Sequence, residues 1–502
     1  MANEPDMSFG LALKRRCVFA TAASLNRKNL IECCAGLLVF AFLARHFALR
    51  LADPDLWGRL AVGQLVLWQG RMPPRDPFAY TPTLPRWIDH QWLTGVVFYG
   101  IDHARGDAGI LLFKTLLGLA TVGLVWLAAR AAGAARLPLL ILLALAMPVF
   151  GYGIMPWAQL FTYFFFALWL YLLERYRRGG STWLLTALPL TMLLWANLHG
   201  GFLAGLGLLA LYALGMIHQP RRCLALAAVG VGCFLATLIN PYGWDYWRYL
   251  LPAVAMHRPG VAEWAPVPFH WEYAAFWLLA ACAIATLWTF RRDPRTSLAV
   301  VLTVSVTLLL AARHARHMPL FAIAACGLLP GIVFPDSVRA TALRGRLRPA
   351  DLALAALLLA VALVQVRGLV GDGPARLVVP DVPTGVENMV VYPVGAVRFA
   401  VDHQIQGNLA VPFNWGEYVL WRLYPNCRVS LDGRYETVYP DSTVEMVDRF
   451  FAASGHWSTL IDAYPTHYVL APRDAPVNEK LANRGWTLRF SDQAAMLWQR
   501  PR

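Results

Sequence analysis

The sequence predicts a polytopic α-helical membrane protein, with about 11 transmembrane helices, followed by a small extracytoplasmic α/β domain. Three observations lead there. The 502 residues are 58% hydrophobic and only 15% charged, with a mean hydropathy of +0.47. Apolar runs of about 17–22 residues recur up to residue 367, the length a helix needs to cross a bilayer. Basic residues gather in every second connection between those runs, the signature of cytoplasmic loops.

Spans are predicted at 29–49, 108–129, 137–154, 157–174, 182–199, 201–217, 223–240, 273–290, 297–312, 318–334 and 351–367; the short run at 137–154 also suits a re-entrant segment. One set of connections carries 19 Lys+Arg against 6 Asp+Glu, among them Arg130, Arg136, Arg175, Arg177, Arg178, Arg221, Arg222, Arg291, Arg292 and Arg295. The first connection of the other set, 48–107, holds six Arg and six Asp. The N-terminus is therefore placed in the cytoplasm and the C-terminus outside. The resulting division is a cytoplasmic segment 1–28, a transmembrane domain 29–367 with outer loops 48–107 and 241–272, and an extracytoplasmic α/β domain 368–502.

The net charge of +14 would suit a polyanion if it covered a soluble surface. Residues 373–502, however, carry 12 Lys+Arg against 13 Asp+Glu, so the excess lies at span ends and sets topology. No nucleic-acid partner is expected. Of eight cysteines only Cys427 falls in the outer domain, which excludes a disulfide within it. The basic first 28 residues show no signal-peptide cleavage site. In the outer loops, 56–68 reads as an amphipathic helix lying along the interface, with Trp57, Trp68, Trp87 and Trp92 at headgroup depth. Beyond 367 the pattern alternates: strands at 408–413, 428–431, 467–471, 487–490 and 494–499, and helices at 415–423, 442–463 and 478–484.

The residues that suggest chemistry share one face. Asp53, Asp55, Asp76, Asp89 and His90 lie in the first outer loop, Glu263 in the second. His199 ends the fifth span, Arg313, His314, Arg316 and His317 form the turn between spans nine and ten, and Lys114 lies two turns into the second span. Charges clustered at one membrane face mark a candidate site. In Asp53-Pro54-Asp55, one carboxylate suits a general base for an acceptor hydroxyl. The pair also suits oxygen ligands for a divalent cation, Mg2+ or Mn2+. The alternative is a helix N-cap, since Asp-Pro-Asp is a good helix start. Arg313, Arg316 and His317, with Lys114, suit a phosphate clamp, or else headgroup anchoring and snorkelling. Asn197 and His199 either face the site or close a structural turn. Asp432-Gly433-Arg434 reads as a contact to a sugar or as an Asp-Gly turn. No P-loop, G-x-S-x-G or H-E-x-x-H motif stands in a workable context.

Asp53-Pro54-Asp55-Leu56-Trp57, Asp76-Pro77-Phe78-Ala79-Tyr80-Thr81, His90-Gln91-Trp92-Leu93, Asn197-Leu198-His199-Gly200-Gly201-Phe202, Asn240-Pro241-Tyr242-Gly243, Gly416-Glu417-Tyr418 and Asp432-Gly433-Arg434 carry a resemblance that spans nearly the whole chain. The arrangement resembles the GT-C superfamily of membrane glycosyltransferases. More narrowly, it looks like a group of uncharacterised bacterial polytopic membrane proteins with the Asp-Pro-Asp-Leu-Trp motif. The chain departs from that group at Gly58-Arg59, where relatives often have Trp-His, and at Met155-Pro156-Trp157-Ala158-Gln159, where they often have Arg-Pro-Gln.

The resemblance implies an inverting glycosyltransferase in the bacterial cytoplasmic (inner) membrane. Its donor would be a polyprenyl-phosphate-linked sugar, and its acceptor an envelope glycan, lipid or protein. Asp53 and Asp55 take the family's acidic role, and Lys114, Arg313, Arg316 and His317 the donor phosphate. Asp89, His90, Asn197, His199 and Glu263 shape the acceptor side or cavity. The rival expectation is a transporter or glycan assembly factor that binds lipid-linked glycans without reacting them.

Overall fold

The computed structural model describes residues 27–151, 155–256, 262–336, 347–371, 373, 375–382 and 390–501. Most of the segment 1–28, the three-residue end of the 137–154 run, Cys17 and the basic residues Arg339, Arg344 and Arg346 lie outside them.

A helix stands at each predicted span. In chain order these are α1 (Arg27–Phe47), then α2 (Pro54–Gln69) in the first outer loop, α3 (Trp92–Ala131), α4 (Arg136–Leu145), α5 (Met147–Gly151), α6 (Gln159–Arg177), α7 (Ala187–Leu198), α8 (Phe202–Gly215), α9 (Pro220–Ala236), α10 (Trp244–Ala255) in the second outer loop, α11 (Ala274–Thr289), α12 (Leu298–Arg313), α13 (Met318–Leu328), α14 (Pro330–Val333) and α15 (Pro349–Gly371). Among the described residues, five helical stretches are long and apolar enough to cross a membrane: Arg27–Phe47, Trp92–Ala131, Trp271–Thr289, Ala315–Val333 and Pro349–Leu369. The protein is thus a helical membrane protein. The 137–154 run divides into α4 and α5; ten residues rise only about 15 Å, half the hydrocarbon thickness. The 40 residues of α3 exceed that thickness, and the helix kinks at Gly106 (φ 59°), where a left-handed backbone favours glycine.

Contacts sort the connections by end. At one end Arg27 pairs with Asp351 at 2.7 Å, Arg130 with Asp336 at 3.1 Å, and Arg136 with Glu32 at 3.4 Å. Arg222 separately donates to the Tyr176 and Arg177 carbonyls. Predicted basic connections therefore meet in two groups.

The chain after α15 forms α16 (Val394–Asp402), β1 (Gly407–Ala410), α17 (Phe413–Leu423), β2 (Cys427–Val429), α18 (Asp441–Phe451), α19 (Thr459–Ala463), β3 (Tyr468–Pro472), α20 (Val477–Asn483), β4 (Thr487–Ser491) and β5 (Ala495–Gln499). The sheet order is β2-β1-β3-β5-β4. β1 runs parallel to β2 and β3, while β5 runs antiparallel to β3 and β4. The helix expected over 442–463 breaks into α18 and α19, because Ala453 and Gly455 adopt positive φ between them. The helix α16 carries no strong signal in the sequence and was not expected.

The first outer loop reaches this sheet. Val429 and the Phe78–Tyr80 stretch exchange two backbone hydrogen bonds, so the loop extends the sheet beyond β2. This overturns the interfacial reading of 56–68. Leu56, Leu60, Val62 and Leu65 are buried, and so are Trp57, Gly58, Arg59 and Gly63, on every side of α2. The helix is held between α3 and α17 rather than laid on lipid. Trp57 packs edge-on against Tyr418 at 5.3 Å, and Trp87 is also buried; Trp68 alone of the four is well exposed. The seven described cysteines are free thiols.

Candidate functional site

The start of α2 carries the acidic pair. Asp53 is the N-cap: its backbone is extended and its Oδ1 accepts the Asp55 amide at 2.9 Å, with Pro54 opening the helix. The capping interpretation is thus realised at Asp53. Burial, then the charge of Asp55, hold the Asp53 carboxyl well above the ordinary aspartate range. Lys114 lies beside it. That lysine is 1% exposed on α3, donates to the Leu49 carbonyl and acts electrostatically on Asp53.

Asp55 keeps an exposed face among protein groups that strip away most of its water. Burial pushes its carboxyl up to about 6; Glu263 adds to this, Arg59 and Arg316 oppose it, and Glu436 adds again. These groups come from four places in the chain: the start of α2, the second outer loop, the α12–α13 turn and, for Glu436, the segment after β2.

Arg316 is the central cation of this cluster. It pairs with Glu263 at 3.0 Å and lies 4.3 Å over the Trp264 ring. Its Nη2 donates to Gln159 Oε1 at 2.9 Å, and Gln159 Nε2 donates back to its carbonyl at 3.1 Å. Gln159, at the start of α6, thus holds both the side chain and the backbone of Arg316. Arg313, one turn earlier, is exposed. His314 contacts the Trp264 carbonyl at 2.6 Å, and His317 has a buried Nδ1 with no partner among the described residues.

The remaining candidates build walls. Arg59 Nη1 holds both carboxylate oxygens of Asp89 at 2.7 and 2.8 Å, a buried pair. His90 stacks on Tyr249 at 5.9 Å and lies 6.2 Å from the His199 ring; burial pushes its imidazole down to about 4, so it is neutral at pH 7. His199 Nδ1 accepts the Gly201 amide at 3.0 Å and lies 2.7 Å from Thr162 Oγ1. Asn197 is consumed structurally: its oxygen accepts from Trp92 Nε1, and its amide donates to the Leu193 and Ile239 carbonyls. It ties α3, α7 and the end of α9 together.

Asp432-Gly433-Arg434 forms the expected turn, with Asp432 Oδ1 accepting the Arg434 amide at 3.0 Å, and the same turn carries a buried ion-pair cluster. Arg434 is fully buried, forks onto Asp432 at 2.6 and 2.8 Å, pairs with Asp76, and lies 4.7 Å over Phe78. Two of the motif phrases are therefore one interdomain lock. Two acids are not among the candidates the sequence offers: Glu417, which stands there only within the phrase Gly416-Glu417-Tyr418, and Glu436. Both lie in the distal part of the chain, and no local pattern links them to position 55. Gly58 was the usable signal, since a glycine in a buried helix turn marks a close approach. Among the described residues no three His, Cys, Asp or Glu side chains converge as a metal site, and Asp53 spends one oxygen on its cap.

Solved structures share this architecture. The arabinofuranosyltransferase AftD from mycobacteria superposes with a TM-score of 0.55 at 17% identity, over 95% of this chain and 40% of that one. A mutant form of AftD gives 0.54 at 16% identity, over 94% and 41%. The chain shares the fold of these structures. It spans about two fifths of the length of these neighbours. No family model and no curated protein matches the chain, so neither supports the narrower motif group.

Proposed function

We propose that the protein is a glycosyltransferase using a polyprenyl-phosphate-linked sugar at the outer face of the bacterial cytoplasmic membrane, with an envelope glycan, lipid or protein as acceptor. One observation carries this: Arg316 of the α12–α13 turn, held by Glu263 at 3.0 Å and Gln159 at 2.9 Å, lies within electrostatic reach of Asp55 of the first outer loop, so a cation and a carboxylate share one cluster. The fold shared with AftD supports it.

Asp55 is the better base of the pair, because Asp53 is buried and committed to its cap. Asp55 takes the proton of the acceptor hydroxyl while that oxygen bonds the anomeric carbon. The carbon–phosphate oxygen bond breaks, and its electron pair leaves on the polyprenyl phosphate. A single in-line displacement inverts the anomeric centre. Arg316 offers its fork to the departing phosphate, a role Arg performs better than Lys. His317 and Lys114 add positive or polar character nearby, Arg313 guides the headgroup from the exposed side, and Asp89, His90, Asn197 and His199 hold the acceptor wall.

The test is sugar transfer by the purified protein with a panel of polyprenyl-phosphate sugars. An arabinofuranosyl donor belongs in the panel because of the AftD likeness. Release of polyprenyl phosphate is expected, with loss of turnover in Asp55→Asn. Undiminished turnover in Asp55→Asn and in the Asp53→Asn/Asp55→Asn double variant would remove the mechanism. Binding of lipid-linked sugar without release would favour the transporter or assembly-factor reading.

A further inference from the structure

Glu417 lies on α17, yet its carboxylate is delivered to α2. Oε2 accepts the Gly58 amide at 3.0 Å, and Oε1 is buried with no hydrogen-bond partner among the described residues. The residue is 4% exposed. Its approach depends on the glycine: a Cβ at position 58 would stand 2.4 Å from Cδ and Oε2. On the other side a Cβ at Gly433 would stand 3.1 Å from Oε1. Gly58 is one helical turn after Asp55, and Arg59, which holds Asp89, follows it.

We propose that Glu417 is a positioning residue for the transfer reaction: it fixes the first turn of α2 from the α/β domain, so that Asp55 is held toward the acceptor, and glycine at 58 is what admits it. The inference rests on the reading of Asp55 as the base. A carboxyl in this place is costly. Burial pushes it well above the usual glutamate range; Asp55 adds, Arg59 opposes, and Asp432 and Arg434 act in opposite senses behind it. An apolar side chain of similar size would fill the same space without that penalty. What it would not do is accept the Gly58 amide. That hydrogen bond ties the helix bearing Asp55 to α17, whose other neighbours are the sheet and the Asp432–Arg434 lock. The departure Gly58-Arg59 then gains a common explanation. The missing side chain at 58 makes room for Glu417, and the guanidinium at 59 balances the carboxylates of Asp55, Asp89 and Glu417 around it.

The experiment uses the full chain and whichever polyprenyl-phosphate donor gives Asp55-dependent release. Glu417→Ala is expected to lower kcat by about 10- to 100-fold, the scale of a misplacement near 1 Å, with the donor KM unchanged. Its acid-side midpoint should fall below that of the wild type, because water entering the vacated space favours ionised Asp55. Glu417→Gln, which keeps an acceptor for the Gly58 amide, should restore most of kcat and the midpoint. Gly58→Ala should reproduce the loss, and the Gly58→Ala/Glu417→Ala double variant should be no slower than Glu417→Ala alone. Amide hydrogen exchange over residues 55–59, which needs no turnover, should rise in Glu417→Ala and Gly58→Ala but not in Glu417→Gln. Wild-type kcat and exchange in both Glu417→Ala and Gly58→Ala overturn the inference, as does equal impairment of the Ala and Gln variants. Should Glu417→Ala fail to fold, Gly58→Ala and Glu417→Gln decide the matter. Active Asp55→Asn sinks the base itself; inactive Asp55→Asn beside wild-type Glu417→Ala sinks only the positioning role.

Discussion

Arg316 and Glu263 form an ion pair at 3.0 Å across two outer connections, and the guanidinium also lies 4.3 Å over the Trp264 ring. Both partners keep part of their surface exposed, so the pair is available to an incoming anion. A donor phosphate has to compete with Glu263 for the fork. Glu263→Gln is therefore expected to lower the KM for a polyprenyl-phosphate donor, and Arg316→Ala to raise it while lowering kcat at least tenfold, as loss of a charge-stabilising donor does. Initial rates over a donor series check both.

The pH profile follows from Asp55. Its carboxyl lies at about 6, pushed up first by burial and then by Glu263. A base acts only when ionised, so kcat/KM should fall as pH drops through about 6 and hold above it. Removing the Glu263 charge lowers the Asp55 pKa, so Glu263→Gln should move that midpoint to lower pH. Removing a cation that favours ionisation does the reverse, so the midpoint of Arg316→Ala should move up. A profile flat from pH 5 to 8 in the wild type contradicts Asp55 as the titrating base.

Asp53 and Asp55 should separate. Asp53→Ala loses the N-cap of α2 and should cost about 1 kcal/mol of stability, whereas Asp53→Ser keeps an oxygen in place and should cost little. If capping is the whole role of Asp53, Asp53→Ser transfers sugar normally while Asp55→Asn does not. Thermal unfolding in detergent, read beside turnover, distinguishes these outcomes.

The interdomain lock should be expensive to break. Arg434→Met leaves Asp76 and Asp432 buried without their shared cation, an arrangement that should cost about 3–5 kcal/mol. The change should loosen the first outer loop from the sheet, and limited proteolysis within residues 70–90 would report it. Resistance equal to wild type would show that the backbone bonds between Phe78–Tyr80 and Val429 suffice alone.

Where α2 crosses α3 the backbones nearly touch: a Cβ at Gly63 would stand 2.0 Å from the Gly95 carbonyl oxygen. Gly63→Ala should therefore destabilise by about 1–3 kcal/mol through overpacking, despite the better helix propensity of alanine. A rise in thermal stability would contradict the crossing.

Helix positions were legible in the sequence because a bilayer demands long uninterrupted apolar runs, a requirement each segment meets alone. The alternation of basic connections was legible for the same local reason, and Arg27, Arg130 and Arg136 do gather at one end. Periodicity likewise marked most strands and helices of the distal domain, though α16 escaped it. Other features depend on partners far along the chain. The amphipathic look of 56–68 suggested a lipid surface, and only the arrival of α17 and α3 showed that the helix is enclosed by protein. Asp432-Gly433-Arg434 is the turn its sequence suggests, but its pairing with Asp76, 356 residues before Asp432, shows only in the fold. Glu417 gave no local sign of its place next to Gly58. Hydropathy is a property of neighbours in sequence; ion pairs, close backbone approaches and the electrostatics of Asp55 are properties of neighbours in space, which only the folded chain brings together.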